Sequence, residues 1–261
     1  MPSTRSYDRE ILRLAGPALV TLLAEPAYLL VDTAVVGHLG TAQLSGLAVA
    51  TAVLLTAYSL CIFLAYGTTA AVARLIGAGD RRAAAHQAVQ GLWLGAGVGV
   101  LLALVLAAAS EPFVRALGAE GDVATNALVY LRLSLPGLPF LLLTLAGTGY
   151  LRGLQDTRTP LVVALGTAAV NLVLELLLVV GFDQGIGASA VSTVLAQVAG
   201  GAVYLRAVGR AARADGAGWR PDLAAQRRLV RVGADLMVRT AALRGSLVAL
   251  TAVATRIGPR D

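Results

Sequence analysis

Apolar and charged residues alternate in long blocks along the 261-residue chain. A helix needs about 20 mostly apolar residues to cross the hydrocarbon core of a bilayer, and seven blocks are long enough. The composition agrees, because 14% of the residues are charged, against about 25% in soluble domains. The pattern predicts an all-α polytopic membrane protein. Its predicted spans are roughly 11–36, 44–72, 84–109, 124–149, 160–181, 186–208 and 229–255.

Arginines are concentrated in alternate loops between these spans. Cytoplasmic loops of membrane proteins carry an excess of Arg and Lys, so this bias predicts a cytoplasmic N-terminus. Through span six, the other side carries Arg115 together with Glu111, Glu120 and Asp122. The arginine-rich side holds Arg5, Arg9, Arg13, Arg74, Arg81, Arg82, Arg152, Arg158, Arg206, Arg210, Arg213, Arg220, Arg227, Arg228 and Arg231.

The end of the chain resembles its beginning. A shift of 218 residues aligns Leu12–Leu14 with Val230–Val232 and Val35–Gly40 with Val253–Gly258. Six spans followed by a restart of the first are typical of the parallel repeats of secondary transporters. The predicted domains are a six-helix lobe over 1–208, a cytoplasmic linker over 209–228 and the first helix of a second lobe over 229–261.

Oxygen-bearing side chains of three spans lie at similar predicted depths. At 1.5 Å per residue, Asp32 lies about 6 Å, Glu175 about 9 Å and Thr193 about 10 Å below the outer helix ends. Asn171 precedes Glu175 by four residues and so shares its helix face. Carboxylate, amide and hydroxyl oxygens suit Na⁺ or a shared proton. Separate hydrogen bonds that serve helix packing alone are the alternative.

The first span contains a second acid and a proline. Glu25 lies on the same helix face as Asp32, since seven residues are close to two turns. Pro26 removes a backbone donor and predicts a helix bend directly after this acid. Glu25 is therefore a candidate cavity acid, and Arg244 of span seven is a candidate partner for it.

The predicted cytoplasmic turn between spans four and five reads LRGLQDTRTP. Gly153 is expected to end one helix, and Asp156 or Thr157 to cap the next, with Pro160 at an early helical position. The turn is interpreted either as a rigid capped connection or as part of a gate. Its candidate residues are Arg152, Gly153, Gln155, Asp156, Thr157, Arg158 and Pro160.

The sequence contains no pattern typical of a soluble enzyme. It has one cysteine and two histidines, and it lacks a phosphate-binding glycine loop. We therefore expect no catalytic residues, no cofactor and no metal beyond a Na⁺ at the oxygen cluster. The net charge of +6 is explained by arginines in cytoplasmic loops, so no nucleic-acid partner is expected.

Two segments, LLVDTAVVGHLG after Pro26 and LRGLQDTRTP at the inner turn, resemble the multidrug and toxic compound extrusion (MATE) family. The resemblance is to its DNA-damage-inducible protein F (DinF) branch. It implies two six-helix lobes around a cavity, in the bacterial plasma membrane. It also implies that cationic or amphipathic compounds and other xenobiotics are exported in exchange for H⁺ or Na⁺.

The resemblance also implies roles for individual residues. Asp32 would bind the coupling cation, and the first helix would bend at Pro26. Asn171, Glu175 and Thr193 would complete the cation site, although Glu175 stands where the family has Asp. Because family members have about twelve helices, we expect an incomplete chain that works with a missing C-terminal lobe or a second copy.

Two alternatives come from other functional classes. A lipid or lipid-linked oligosaccharide flippase would need a large cationic cavity, whereas the acids dominate here. The other alternative is a half-length membrane protein that assembles with a partner and transports nothing.

Overall fold

The computed structural model describes residues 32–182 and 184–257, together with residues 15–16, 19–20, 23 and 30. These residues form helices joined by short turns, with no strand among them. Residues 32–37 end the first helix, α1. The other helices are α2 Thr41–Cys61, α3 Phe63–Gly77, α4 Arg81–Ala116, α5 Gly121–Ser134, α6 Leu138–Gly153, α7 Arg158–Glu175, α8 Ile186–Ala214 and α9 Leu223–Ile257.

Within the described residues, five helical segments are long and apolar enough to cross a membrane. They are Thr41–Gly77, Arg81–Ala116, Gly121–Gly153, Arg158–Gly181 and Ile186–Ala214. These segments contain the second to sixth predicted spans. They are longer than the apolar blocks because their polar ends remain helical, where water and lipid headgroups can solvate charged side chains.

The first and seventh predicted spans are not among these five segments. Most of 11–36 lies outside the described residues. Helix α9 covers the predicted span 229–255, but it is not among the five membrane-length apolar segments. The span itself contains Arg231, Asp235, Arg239 and Arg244, which lower its mean hydropathy.

Glycines bring α4 and α6 into direct backbone contact. A Cβ on Gly99 would lie 2.5 Å from Cα of Pro139, and one on Gly95 would lie 2.9 Å from the Leu142 carbonyl oxygen. Larger residues would force the helices apart, since overpacking a close interface is destabilising. Gly95 and Gly99 of the third span therefore form a helix-packing surface.

The segment between α8 and α9 is held against α4 by specific hydrogen bonds. Gln90 of α4 is fully buried; it donates to the Arg220 carbonyl oxygen at 2.9 Å and accepts from the Asp222 N–H at 2.7 Å. The Trp93 indole N–H donates to the Trp219 carbonyl oxygen at 2.8 Å. This segment, 215–222, is called the docked linker below.

Candidate functional site

The end of α1 is held between the turn that follows α7 and the start of α8. Val35, Val179 and Ala188 form a small buried cluster there. Gln43 of α2 accepts a hydrogen bond from the Ile186 N–H at 3.1 Å, which satisfies a free donor at the α8 N-terminus. These contacts direct the Asp32 side chain toward α7 and α8.

Asp32 and Glu175 meet at one hydroxyl group. Ser189 of α8 lies 2.9 Å from Asp32 Oδ1 and 2.9 Å from Glu175 Oε1. Asn171 donates to Glu175 Oε2 at 3.4 Å. All four side chains are buried, with Asp32 3% exposed and Glu175 fully buried. Asp32, Ser189, Glu175 and Asn171 are called the carboxylate cluster below.

The hydrogen bonds of the carboxylate cluster do not balance if both acids are ionised. A serine hydroxyl has one hydrogen and can donate it to one acceptor at a time. Ser189 contacts an oxygen of each acid, so one of these contacts lacks a hydrogen unless a carboxyl group carries a proton. A bound cation would resolve the same conflict by neutralising charge between the oxygens. The arrangement therefore favours one additional positive charge.

The amide oxygen of Asn171 supplies a further acceptor. Asn171 is 1% exposed, and its Oδ1 atom has no hydrogen-bond partner among the described residues. A buried polar atom without a partner usually costs about 1–3 kcal/mol. Beside two carboxylates and a hydroxyl, this oxygen completes a set of hard ligands of the kind that bind Na⁺.

The α8 residue between the acids is Ser189, one turn before the predicted Thr193. The Thr193 hydroxyl donates to the Ser189 carbonyl oxygen at 3.0 Å. The depths estimated from the sequence could have identified Ser189. It lies about 5 Å below the start of α8, which is closer than Thr193 to the depth of Asp32.

The α-helical hydrogen bonding of the fifth span changes directly after Glu175. Residues Leu176–Gly181 form a π-helical turn. Such turns occur mostly as short insertions in helices and are frequent at functional sites. Here the turn follows the buried acid and places Val179 against α1.

The turn between α6 and α7 has the expected capped form, with Asp156 as the capping side chain. Its carboxylate accepts from the N–H groups of Arg158 and Thr159 at 3.1 and 3.0 Å, and from the Thr159 hydroxyl at 2.6 Å. Thr157 occupies the N-cap position without a side-chain cap, and Pro160 lies in the first turn of α7.

Helix α6 ends at Gly153 as expected, but for a different reason. The left-handed backbone position of the turn is Gln155, with φ of 62°. A Cβ on Gly153 would lie 2.7 Å from Val72, so Gly153 is required by contact with α3. The other turn residue, Arg152, lies in the last turn of α6.

Three predicted features fall outside the described residues. Glu25 and Pro26 are in the undescribed part of the first span, and the Arg244 side chain in α9 is not described. The helix bend, the cavity acid and its pairing therefore stay predictions. Residues 32–182 and 184–257 contain no cluster of three His, Cys, Asp or Glu that could hold a metal.

The fold and the cluster define a helical multi-pass membrane protein with a buried acid pair. Comparison with known proteins gives its family. The MatE family profile matches residues 17–177 of the chain. The chain therefore belongs to the MatE family.

Two curated relatives agree with this assignment, and one solved structure shows the same fold. The DNA damage-inducible protein F of Escherichia coli K12 is 30% identical over 97% of this chain and 56% of its own length. A probable multidrug resistance protein NorM of Thermotoga maritima is 28% identical over 75% of this chain and 43% of its own. A MATE crystal structure in the bent conformation has a TM-score of 0.84 at 24% identity, covering 96% of this chain and 57% of that one. The chain spans about half the length of these proteins.

Proposed function

We propose that this chain forms the N-terminal lobe of a cation-coupled exporter of small amphipathic or cationic compounds. The observation that carries the proposal is the carboxylate cluster, in which two buried acids share one hydroxyl hydrogen. Family membership supports export as the activity. A relative bears the name of a multidrug resistance protein.

The coupling ion, H⁺ or Na⁺, binds within the carboxylate cluster. Asp32 belongs to α1, whereas Ser189 and Glu175 belong to the α7–α8 pair. An ionised carboxylate in the membrane interior costs about 3 kcal/mol or more. Loss of the ion therefore drives Asp32 and Glu175 apart, and binding draws them together. The cluster in this way links ion occupancy to the position of the first helix.

Alternating access follows from that movement. The first helix, bending at Pro26, changes the cavity that opens toward substrate, and Glu25 attracts cationic compounds into it. The second lobe comes from the remaining part of a full-length transporter or from a second copy. The lobe lies in the plasma membrane with its N-terminus in the cytoplasm. The linker predicted over 209–228 connects it to the second lobe, of which α9 is the first helix.

Charge argues against a lipid-linked oligosaccharide flippase. Such a substrate carries pyrophosphate, which requires buried cations. Among the described residues, the buried charged side chains are the acids Asp32 and Glu175. A non-transporting role is separated from export by the experiment below.

The test is ethidium efflux from cells that express the protein from its complete reading frame. Asp32→Asn is compared with wild type and with Asp122→Asn, the same change at an exposed acid near the start of α5. We expect Asp32→Asn to lower energised efflux at least about tenfold, since it removes one charge of the ion site. Asp122→Asn should resemble wild type. Equal efflux by wild type and Asp32→Asn would rule out the coupling role.

A further inference from the structure

An open cavity of about 570 Å³ lies at the start of α9. It is lined by Leu223, Ala224, Arg227, Arg228 and Arg231. No acid is among these lining residues, and Leu223 is 68% exposed beside the three guanidinium groups. The cavity therefore combines three positive charges with an exposed apolar side chain.

The three arginines form one surface of the helix. Arg227 precedes Arg231 by four residues and Arg228 precedes it by three, and these spacings place side chains on the same face. All three are exposed, and none forms an ion pair or hydrogen bond with another described residue. The nearest described acid in sequence, Asp222, instead accepts from the N–H groups of Ala224 and Ala225.

The docked linker fixes this surface in place. Gln90 holds the backbone of Arg220 and Asp222 just before the cavity, and a Cβ on Gly209 would lie 3.1 Å from the Trp219 ring. Leu229, on the opposite face of α9, is 3% exposed and lies against Gly67 of α3. The arginines are therefore presented on a helix that is anchored on its other side.

Both tryptophans of the chain lie at this level. Trp93 donates to the Trp219 carbonyl oxygen, and both rings are partly exposed, at 46% and 37%. Tryptophan is enriched where the hydrocarbon core meets the headgroups. The distribution of arginines between alternate loops predicts that this side of the protein faces the cytoplasm. The long Arg side chains can extend to headgroup phosphates while their stems remain among apolar chains.

We propose that Arg227, Arg228 and Arg231 form a binding site for an anionic phospholipid of the cytoplasmic leaflet. The guanidinium groups bind the headgroup phosphate through charge-assisted, partly bidentate hydrogen bonds. Leu223 contacts the adjoining acyl chain. The site does not depend on the carboxylate cluster or on export.

The test uses the two tryptophans as local reporters. The chain is placed in phosphatidylcholine nanodiscs with an increasing mole fraction of either brominated phosphatidylglycerol or brominated phosphatidylcholine, whose bromines quench nearby indoles. For wild type we expect brominated phosphatidylglycerol to quench at a mole fraction about tenfold lower, because each arginine near a membrane surface adds to anionic-lipid attraction. Arg227→Gln/Arg228→Gln/Arg231→Gln should abolish this preference.

A matched control separates the site from total charge. Arg206→Gln/Arg210→Gln/Arg213→Gln removes three exposed arginines of α8 on the same side and should keep the preference. Arg227→Lys/Arg228→Lys/Arg231→Lys should keep most of the preference for phosphatidylglycerol. This variant also tests the proposal if the Gln variant fails to fold. Equal loss in both Gln variants, no preference in wild type, or displacement of the lipid by inorganic phosphate would overturn the proposal.

Discussion

The carboxylate cluster and the docked linker each depend on buried polar side chains that join separate parts of the chain, yet their hydrogen bonds balance differently. At the linker, the neutral amide of Gln90 donates to one backbone carbonyl and accepts from one backbone N–H. At the carboxylate cluster, two acids face one hydroxyl, and the amide oxygen of Asn171 has no partner among described residues. One network is satisfied by the protein alone. The other lacks a hydrogen for one of its contacts, and we propose that an added positive charge completes it.

The difference distinguishes a network that only stabilises the fold from a site that can bind and release an ion. A satisfied buried network makes its region rigid, because breaking it leaves unpaired polar groups. A network short of one positive charge responds to the concentration of the ion that supplies it, because binding stabilises the occupied state. Substitutions should therefore change stability at Gln90 and ion dependence at Asp32 and Glu175.

The largest expected stability effect is that of Gln90→Leu. It removes the hydrogen bonds to the Arg220 carbonyl and from the Asp222 N–H, each worth about 1 kcal/mol. We expect a loss of about 2 kcal/mol in the free energy of unfolding, measured by denaturant titration in detergent. Gln197→Leu is the control, because Oε1 of Gln197 has no partner among the described residues. Similar losses in both variants would show that the linker contacts add little.

Ser189→Ala should have a smaller effect on stability and a specific effect on ion dependence. It removes the hydroxyl between the acids and should cost about 1.5 kcal/mol, as for a hydrogen bond to a charged group. The ion concentration that gives half-maximal stabilisation should rise. Ser192→Ala is the matched control, since the Ser192 hydroxyl bonds within its own helix, to the Ser189 carbonyl. An unchanged ion dependence in Ser189→Ala would remove Ser189 from the site.

Asp222→Ala should lower the free energy of unfolding, because it removes an N-terminal helix cap. Asp80→Ala removes a comparable cap, which accepts from the Ala83 N–H at 2.8 Å in α4. Both variants should lose similar stability, but Asp222→Ala should also change tryptophan fluorescence at the docked linker. Equal tryptophan fluorescence spectra in the two variants would contradict the idea that the Asp222 cap holds the docked linker.

The smallest expected effect is the pH dependence of the same cap. The N–H groups of Ala225 and Ala224, together with His86, lower the pKa of Asp222 from its ordinary value. A lowered pKa stabilises the folded state above the unfolded value of about 4, and the gain is lost as pH falls through the folded value. Fluorescence of the linker should therefore change upon strong acidification in wild type. Asp222→Asn, which can still cap, should show a smaller change.

Much of the fold could be predicted from apolar blocks, because membrane-length helices follow from composition over about 20 residues. Asp32, Asn171 and Glu175 could be placed together because depth follows from the rise per residue. Thr193 was predicted in place of Ser189. The two residues lie one helical turn apart, and the predicted start of a helix is uncertain by a similar length. The docked linker could not be predicted, because Gln90 bonds backbone atoms some 130 positions away.

Ion-dependent thermal unfolding of Glu175→Gln tests the central claim most directly. The chain is titrated with Na⁺, and separately with protons, beside wild type and Glu120→Gln, the same change at an exposed acid. We predict that Na⁺ or protons raise the unfolding midpoint of wild type and Glu120→Gln, since a ligand that binds the folded state stabilises it. The midpoint of Glu175→Gln should not respond. An equal rise in all three proteins would show that the carboxylate cluster is not the ion site.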